Sequence, residues 1–256
     1  ILAIVAGPAR RVLAGERTAL NFLQQLSGVA TLTRRFADLA RPAKVFDTRK
    51  TTPGLRALEK HAVRCGGGHN HRMGLHDGVM IKDNHIAAIG DLEVLREKVY
   101  ALAQKRVPIV IEAQSIGEAL LFATFPVQVV MLDNFTVPQL RRAVRLVRRV
   151  NPGMALEASG GVTLKTIRAI ARTGVDRVSV GALTHSAPDL RRELLFELVS
   201  NEGIRIFPLE ESDAVDPPPD NPLMPDIAAI VKAKLGADTR FSSRVKRVRD
   251  SRYSDV

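Results

Sequence analysis

Val127-Gln128-Val129-Val130-Met131-Leu132-Asp133 is a short apolar run that ends on a carboxylate, and a helical pattern of Leu140, Val144 and Val147 follows the cap residue Thr136. Five other runs repeat the arrangement: Lys44–Phe46 before Asp47, Val79–Ile81 before Lys82, Pro108–Ile111 before Glu112, Met154–Glu157 before Ser159, and Arg177–Val180 before Gly181. Such runs, rich in β-branched residues, predict strands buried on both faces. Between them, Leu92, Leu95, Val99 and Leu102 share a helix face after Asp91, and Leu164, Ile167 and Ile170 do so after Thr163, with Gly174 placed to end that helix. Strands that alternate with helices and end in functional side chains are the pattern of a β/α barrel, because those ends converge on one rim. Six strands rather than eight leave an open, doubly wound sheet as an alternative on pattern alone.

Outward from this block, Thr18–Leu39 reads as one or two amphipathic helices, broken or bent near Gly28. Beyond Pro188 the character changes. Asp189–Val199 and Pro225–Leu235 read as helices, residues 208–225 carry six prolines, and Arg240–Val256 reads as a frayed basic tail. The predicted divisions are 1–40 (the remnant of a preceding domain with linking helices), 41–188 (the β/α barrel) and 189–256 (an extension with a Pro-rich linker and a basic tail).

A chain of 256 residues with 45% hydrophobic content can bury a full core. Its net charge of +11 is concentrated in residues 1–190, with 27 Lys+Arg against 15 Asp+Glu, whereas residues 191–256 hold 11 against 12. Two tyrosines and no tryptophan leave little for base stacking, and Arg141, Arg142, Arg145, Arg148 and Arg149 read as one solvated helix face, which argues against nucleic acid. The single cysteine, Cys65, allows no intramolecular disulfide, and no apolar run reaches the length of a membrane span. The expectation is a soluble, cytoplasmic protein.

Between Phe46 and Ile86 the chain concentrates cations, imidazoles and glycines: Asp47-Thr48-Arg49-Lys50-Thr51-Thr52, Gly66-Gly67-Gly68-His69-Asn70-His71-Arg72, and Lys82-Asp83-Asn84-His85. Arg49 and Arg72 are guanidinium forks suited to carboxylates or phosphates, and Lys50 and Lys82 add point charge. The glycines of 66–68 are read as letting the backbone approach a ligand, and Asp83, Asn84 and His85 as shaping their turn. Glu112 and Asp133 close strands in a cationic rim, where the readings are sugar hydroxyls, Mg²⁺ ligation, or pairing with Lys82 or Arg49. Ser159-Gly160-Gly161, with a helix starting near Thr163, reads as a phosphate cradle, and Gly181-Ala182 at the next strand end as its companion. Cys65 has no cysteine partner and the histidines lack zinc spacing.

Taken in order, Gly15-Glu16-Arg17-Thr18-Ala19-Leu20-Asn21, Leu26-Ser27-Gly28-Val29-Ala30-Thr31, Asp47-Thr48-Arg49-Lys50-Thr51-Thr52-Pro53-Gly54, Asn70-His71-Arg72 and Lys82-Asp83-Asn84-His85 closely resemble the quinolinate phosphoribosyltransferases. The match runs over about residues 5–188. The resemblance implies an incomplete, open β/α barrel of the type II phosphoribosyltransferases, with six to seven strands and a helical or irregular extension. It implies a pentosyltransferase of NAD biosynthesis that joins quinolinate to 5-phosphoribosyl-1-pyrophosphate and releases nicotinate mononucleotide, pyrophosphate and CO₂.

By the same resemblance, Arg49, His71, Arg72 and Lys82 hold quinolinate, with Arg17 reaching in from the neighbouring subunit of a homodimer or larger homo-oligomer. Lys50 faces the donor, Glu112 and Asp133 serve the ribose hydroxyls and Mg²⁺, directly or through water, and Ser159, Gly160, Gly161, Gly181 and Ala182 cradle phosphate. Lys50, Lys82, Glu112 and Asp133 are the expected catalytic group. The family's N-terminal α/β sandwich would be mostly absent, and 189–256 would be unmatched. The alternatives are a sibling transferase associated with molybdenum transport that takes another acceptor, and an inactive member that only binds anions.

Overall fold

The computed structural model describes residues 4–188 and the short segments 214–215, 240–242 and 245–246. It divides into two compact units, one of residues 1–25 with 189–256, the other Leu26–Pro188. In the first, β1 (Ile4–Ala6) pairs antiparallel with β9 (Arg240–Ser242), and β8 (Ala214–Val215) with β10 (Val245–Lys246). Part of the segment expected as a frayed tail is therefore strand. The helices expected over Asp189–Val199 and Pro225–Leu235 lie outside the described residues.

The second unit carries six parallel strands: β2 (Lys44–Phe46), β3 (Val79–Ile81), β4 (Ile109–Ala113), β5 (Val129–Asp133), β6 (Ala155–Ser159) and β7 (Arg177–Ser179). Their spatial order, β2-β7-β6-β5-β4-β3, is that of a barrel left open between β2 and β3. His69 makes a single parallel bridge to Phe46 on that open edge, donating to Val45 O and accepting from Asp47 N–H. The loop of residues 66–78 thus begins where a further strand would stand.

Alternation along the strands sets the two faces. Val45, Ile81, Ile109, Ile111, Ala113, Val130, Leu132, Leu156, Ala158, Val178 and Val180 join the large core under the helices. Residues of the opposite parity form a small apolar plug of Val110, Val129 and Met131, with Met80 and Ala155 against it. Further along, the same parity sets Glu157 midway along β6 and brings Lys82, Glu112, Asp133, Ser159, Ser179 and Gly181 to the C-terminal ends. One register therefore carries an apolar floor and a polar rim.

The helices follow their sequence signals with two exceptions. In α4 (Leu92–Ala103) Asp91 Oδ1 accepts from the amides of Glu93 and Val94, and in α6 (Val137–Val150) Gln139 Oε1 accepts from Thr136 N–H. Most of the arginines of α6 face solvent, but Arg148 donates to both oxygens of Asp176 at 2.8 and 2.7 Å. The first exception is α1 (Ala9–Ala40), continuous through Gly28. A helical glycine costs about 1 kcal/mol, which the stripe Val29, Leu32, Thr33, Phe36 and Ala40 offsets by burial. The second is α7, which spans only Ile167–Ala171; Thr163 and Thr166 exchange hydrogen bonds in a turn ahead of it.

Candidate active site

The Asp47–Thr52 loop leaves β2 at the open edge and is fastened from three directions. Asp47, fully buried, accepts from Lys60 Nζ at 2.5 Å and from His71 N–H at 2.8 Å. Lys60, on α2 (Arg56–Cys65), also donates to His71 O at 2.9 Å. Burial pushes the Asp47 carboxyl up from its ordinary value, while the Lys60 hydrogen bond and charge pull it down. Glu59, also buried, accepts from Thr52 N–H, and Arg56 donates to Arg49 O, Thr51 Oγ1 and Met73 O, joining this loop to the 66–78 loop. Thr184, in the short helix α8 (Ala182–His185), donates to Lys50 O at 2.6 Å. At Arg49 and Lys50 the bonds are to the backbone carbonyls, so the exposed side chains of these two residues are held by their main chain.

Arg72 lies near Arg49. Its guanidinium is pushed down from its ordinary value by burial and then by Arg49, with Asp77 and Glu112 acting the other way. Arg72 Nη1 donates to Gly78 O at 3.0 Å, and Asp77 accepts from the amides of Met73 and Gly74, which shapes the loop tip. Among the described residues, no carboxylate forms an ion pair with Arg49 or Arg72. Two adjacent guanidinium groups without an anion between them form a site with an affinity for one.

Lys82 directly follows β3 and donates to Glu112 Oε1 at 2.8 Å, so of the readings open for Glu112, pairing with Lys82 is realised. His85 Nδ1 accepts from Lys82 N–H and fixes the turn, as a shaping residue should. Asp133 ends β5 with Oδ2 accepting from Asn134 Nδ2 at 2.8 Å and Gln114 Nε2 at 3.4 Å. No group of three or more His, Cys, Asp or Glu capable of holding a metal occurs among the described residues. Asp133 and Glu112 suit a Mg²⁺ ion that keeps water and phosphate as its other ligands, since that ion binds through one or two carboxylates plus substrate oxygens.

Beyond the C-terminal end of the neighbouring β6, Gly160 has φ 96° and Gly161 φ 57°. A Cβ on Gly160 would come 2.1 Å from Asn134 Oδ1, so a side chain there is excluded by both space and backbone. The helix expected at Thr163 begins at Ile167 and has five residues, so the expected phosphate cradle at Ser159–Gly161 has no helix terminus directly behind it. Beside it, a Cβ on Gly181 would lie 3.0 Å from His185 Nε2 and 3.7 Å from Lys50 Cδ. Lys50 and the β7 turn, over a hundred residues apart in sequence, thus meet. Ala182 opens α8 next to them.

His71 and Glu157 form the inner wall. His71 Nδ1 accepts from Arg72 N–H at 2.8 Å, which leaves Nε2 to carry the proton of the neutral ring, and Nε2 stands 3.7 Å from Glu157 Oε1. Burial, then Lys60, Arg72 and Arg177, push His71 down to about 4. Glu157 is fully buried, accepts from Ser179 Oγ through Oε1, and is pushed up to about 7, chiefly by burial. The 3.7 Å approach resembles a salt bridge, but the protonation states argue otherwise: near neutral pH the ring is uncharged, so the contact is not an ion pair. His71 Nε2 and Glu157 Oε2 are the buried side-chain polar atoms among the described residues that have no hydrogen-bond partner.

Arg17 is exposed on α1, in the other unit. Gly66 and Gly68 have a different reason from the one expected. A Cβ on Gly66 would meet Ala30 O at 2.4 Å and one on Gly68 would meet Thr33 Cγ2 at 2.7 Å, so these glycines admit α1 rather than a ligand. Asp47, Lys60, Glu157, Asn134 and His185 are the site residues that sequence reading passed over. Only Asp47 lay in a motif that pointed to it.

Comparison with known proteins agrees with this geometry. The family model described as quinolinate phosphoribosyl transferase, C-terminal domain, matches residues 29–193. The chain belongs to the quinolinate phosphoribosyltransferase family. Two relatives carry the name probable nicotinate-nucleotide pyrophosphorylase [carboxylating]. The one from Synechocystis is 43% identical over 208 residues, covering 78% of this chain and 68% of the relative. The one from Bacillus subtilis is 43% identical over 206 residues, covering 80% and 70%. Among solved structures, NadC from Streptococcus pyogenes superposes with a TM-score of 0.67 at 42% identity, covering 72% of this chain and 64% of that one. This chain therefore spans slightly under two thirds of that structure. A second family model, the periplasmic domain of sensor histidine kinase RisS, matches residues 168–250, less than half of the chain. The open six-stranded barrel is that of the phosphoribosyltransferase relatives, and no described helix is long and apolar enough to cross a membrane.

Proposed function

We propose that the chain transfers the phosphoribosyl group of 5-phosphoribosyl-1-pyrophosphate to quinolinate, forming nicotinate mononucleotide, pyrophosphate and CO₂. The observation that carries this reading is the placement of Arg49 beside Arg72, with no carboxylate ion-paired to either among the described residues, on the same rim as the Gly160–Gly161 turn and the Gly181 turn that meets Lys50. A dicarboxylate suits the first cluster and a phosphorylated donor the second. The family membership and the names of the relatives support the same assignment.

In this reading Arg49, Arg72, His71 and Lys82 hold the two carboxylates of quinolinate, and the ring nitrogen faces C1 of the ribose. The new bond forms from the nitrogen lone pair to C1 while the bond from C1 to the pyrophosphate oxygen breaks. Positive charge on the sugar is stabilised by Glu112 and Asp133, and negative charge on the departing pyrophosphate by Lys50. Ser159, the amides of Gly160 and Gly161, and the Gly181–Ala182 turn receive phosphate. Mg²⁺, when bound, would neutralise donor phosphate charge with Asp133 and Glu112 among its ligands. The bond from the ring to the adjacent carboxylate then breaks with its electron pair left on the ring carbon, stabilised there by the neighbouring positive nitrogen; CO₂ leaves, and that carbon takes a proton on the pair.

Exposed Arg17 on α1 supports a homodimer in which it completes the partner's site, and the lone Cys65 supports a reducing, cytoplasmic setting. Calorimetric titration with quinolinate tests the acceptor site, with nicotinate as the single-carboxylate control. The reading requires quinolinate to bind at least tenfold more tightly, about the worth of one charge-assisted contact. Equal affinities for both acids would refute it.

A further inference from the structure

Glu157 has no place in the reaction as set out above, yet it is the most deeply buried carboxyl on the face that carries the site. It shares parity with Ser159 at the phosphate cradle, pairs in register with Met131 and Arg177, and receives Ser179 Oγ on Oε1. Its other oxygen, Oε2, is unpartnered, as is the facing Nε2 of His71. The His71 ring spans from Glu157 to the backbone N–H of Arg72, so β6 communicates with the Arg72 main chain through one imidazole.

We propose that Glu157 is a positioning residue for the acceptor site, working as a neutral carboxylic acid behind His71, and that its ionisation withdraws the site's affinity for an anionic acceptor. The inference rests on the acceptor reading above. The groups facing Glu157 are Ser179 and Arg177 on β7, Glu112 on β4 and His71 in the 66–78 loop. Lys60 of α2, Arg72 and Asp77 act on His71. In the neutral form the wall offers the Nε2–H of His71 and the acid O–H, both donors, and adds no charge. An ionised Glu157 places a buried negative charge behind the ring that orients Arg72, against a dianion arriving there. Burial pushes Glu157 up to about 7, so this change falls near neutral pH.

The test is calorimetric titration of the full chain with quinolinate from pH 6 to 8.5, comparing wild type, Glu157→Gln and Ser179→Ala, with circular dichroism at each pH. Above pH 6 both carboxylates of the ligand stay ionised. Wild-type affinity is expected to fall about tenfold across the range, from Coulomb repulsion at several ångströms in a partly buried site, and that of Glu157→Gln less than twofold. Removing the Ser179 hydroxyl, whose hydrogen bond pulls the Glu157 value down, is expected to move the wild-type decline to higher pH. A decline in Glu157→Gln parallel to wild type would overturn the assignment. If Glu157→Gln does not fold, a decline in Ser179→Ala with an unshifted midpoint overturns it instead. Absence of quinolinate binding by wild type at every pH would remove the acceptor site itself and overturn both proposals.

Discussion

Replacing Glu157 by Gln should change the pH dependence of folding. The Glu157 carboxyl is ordinarily near 4.5 and lies at about 7 in the folded chain. Because the folded value is the higher one, the folded state binds more protons between the two. The associated stability is fully present below pH 4.5 and is lost as pH rises through 7. The difference corresponds to about 3 kcal/mol, with no discount for solvent since the group is fully buried. His71 has the opposite sign: lowered from 6.5 to about 4, it makes stability rise with pH over that interval, by about the same amount.

The two effects therefore nearly cancel in the wild type between pH 4.5 and 6.5, and Glu157→Gln unmasks the His71 contribution. Urea unfolding of both proteins at pH 4.5, 6 and 8 isolates Glu157, because every other titrating group cancels in the difference. The stability of Glu157→Gln relative to wild type should rise by about 3 kcal/mol from pH 4.5 to 8. A difference that stays constant with pH would refute the account of the buried carboxyl.

Three other substitutions probe the rest of the site. Lys60→Met leaves Asp47 buried with its positive partner gone and should cost about 3–5 kcal/mol in urea unfolding, while adding Asp47→Asn should recover part of the loss. Gly160→Ala forces a side chain into φ 96° against Asn134, and should weaken 5-phosphoribosyl-1-pyrophosphate binding about tenfold by calorimetry. Further change of Asn134 to Ala should relieve the clash but not the backbone strain, and so restore affinity only in part. Arg72→Ala should weaken quinolinate binding about 10- to 100-fold and donor binding far less, the loss of one charge-assisted fork. Equal losses for the two ligands would remove Arg72 from the acceptor side.

The strands were legible because each is a compact apolar run with a polar stop, and all six occur where those runs lie. The residues at the stops follow from the same reading, since strand parity and strand end together fix what reaches the rim. What escaped was held by partners distant in sequence. Helix α2 buries Glu59, Lys60 and His61 alongside Ala62 and Val63, and no local periodicity announces that a lysine will be buried against an aspartate thirteen residues earlier. Glu157 read as the end of an apolar run, and only the fold places it beside His71. Gly66 and Gly68 looked like ligand-facing glycines because their neighbours were cationic, whereas the constraint comes from α1 pressed against them. The continuity of α1 through Gly28 and the late start of α7 were likewise decided by packing and by the Thr163–Thr166 turn, not by propensity.

The most direct test of the central claim is turnover: incubate the full chain with quinolinate, 5-phosphoribosyl-1-pyrophosphate and Mg²⁺, and follow nicotinate mononucleotide together with released CO₂. The account predicts equal amounts of the two products from quinolinate and none from nicotinate. A folded chain that binds both substrates and forms neither product would contradict it.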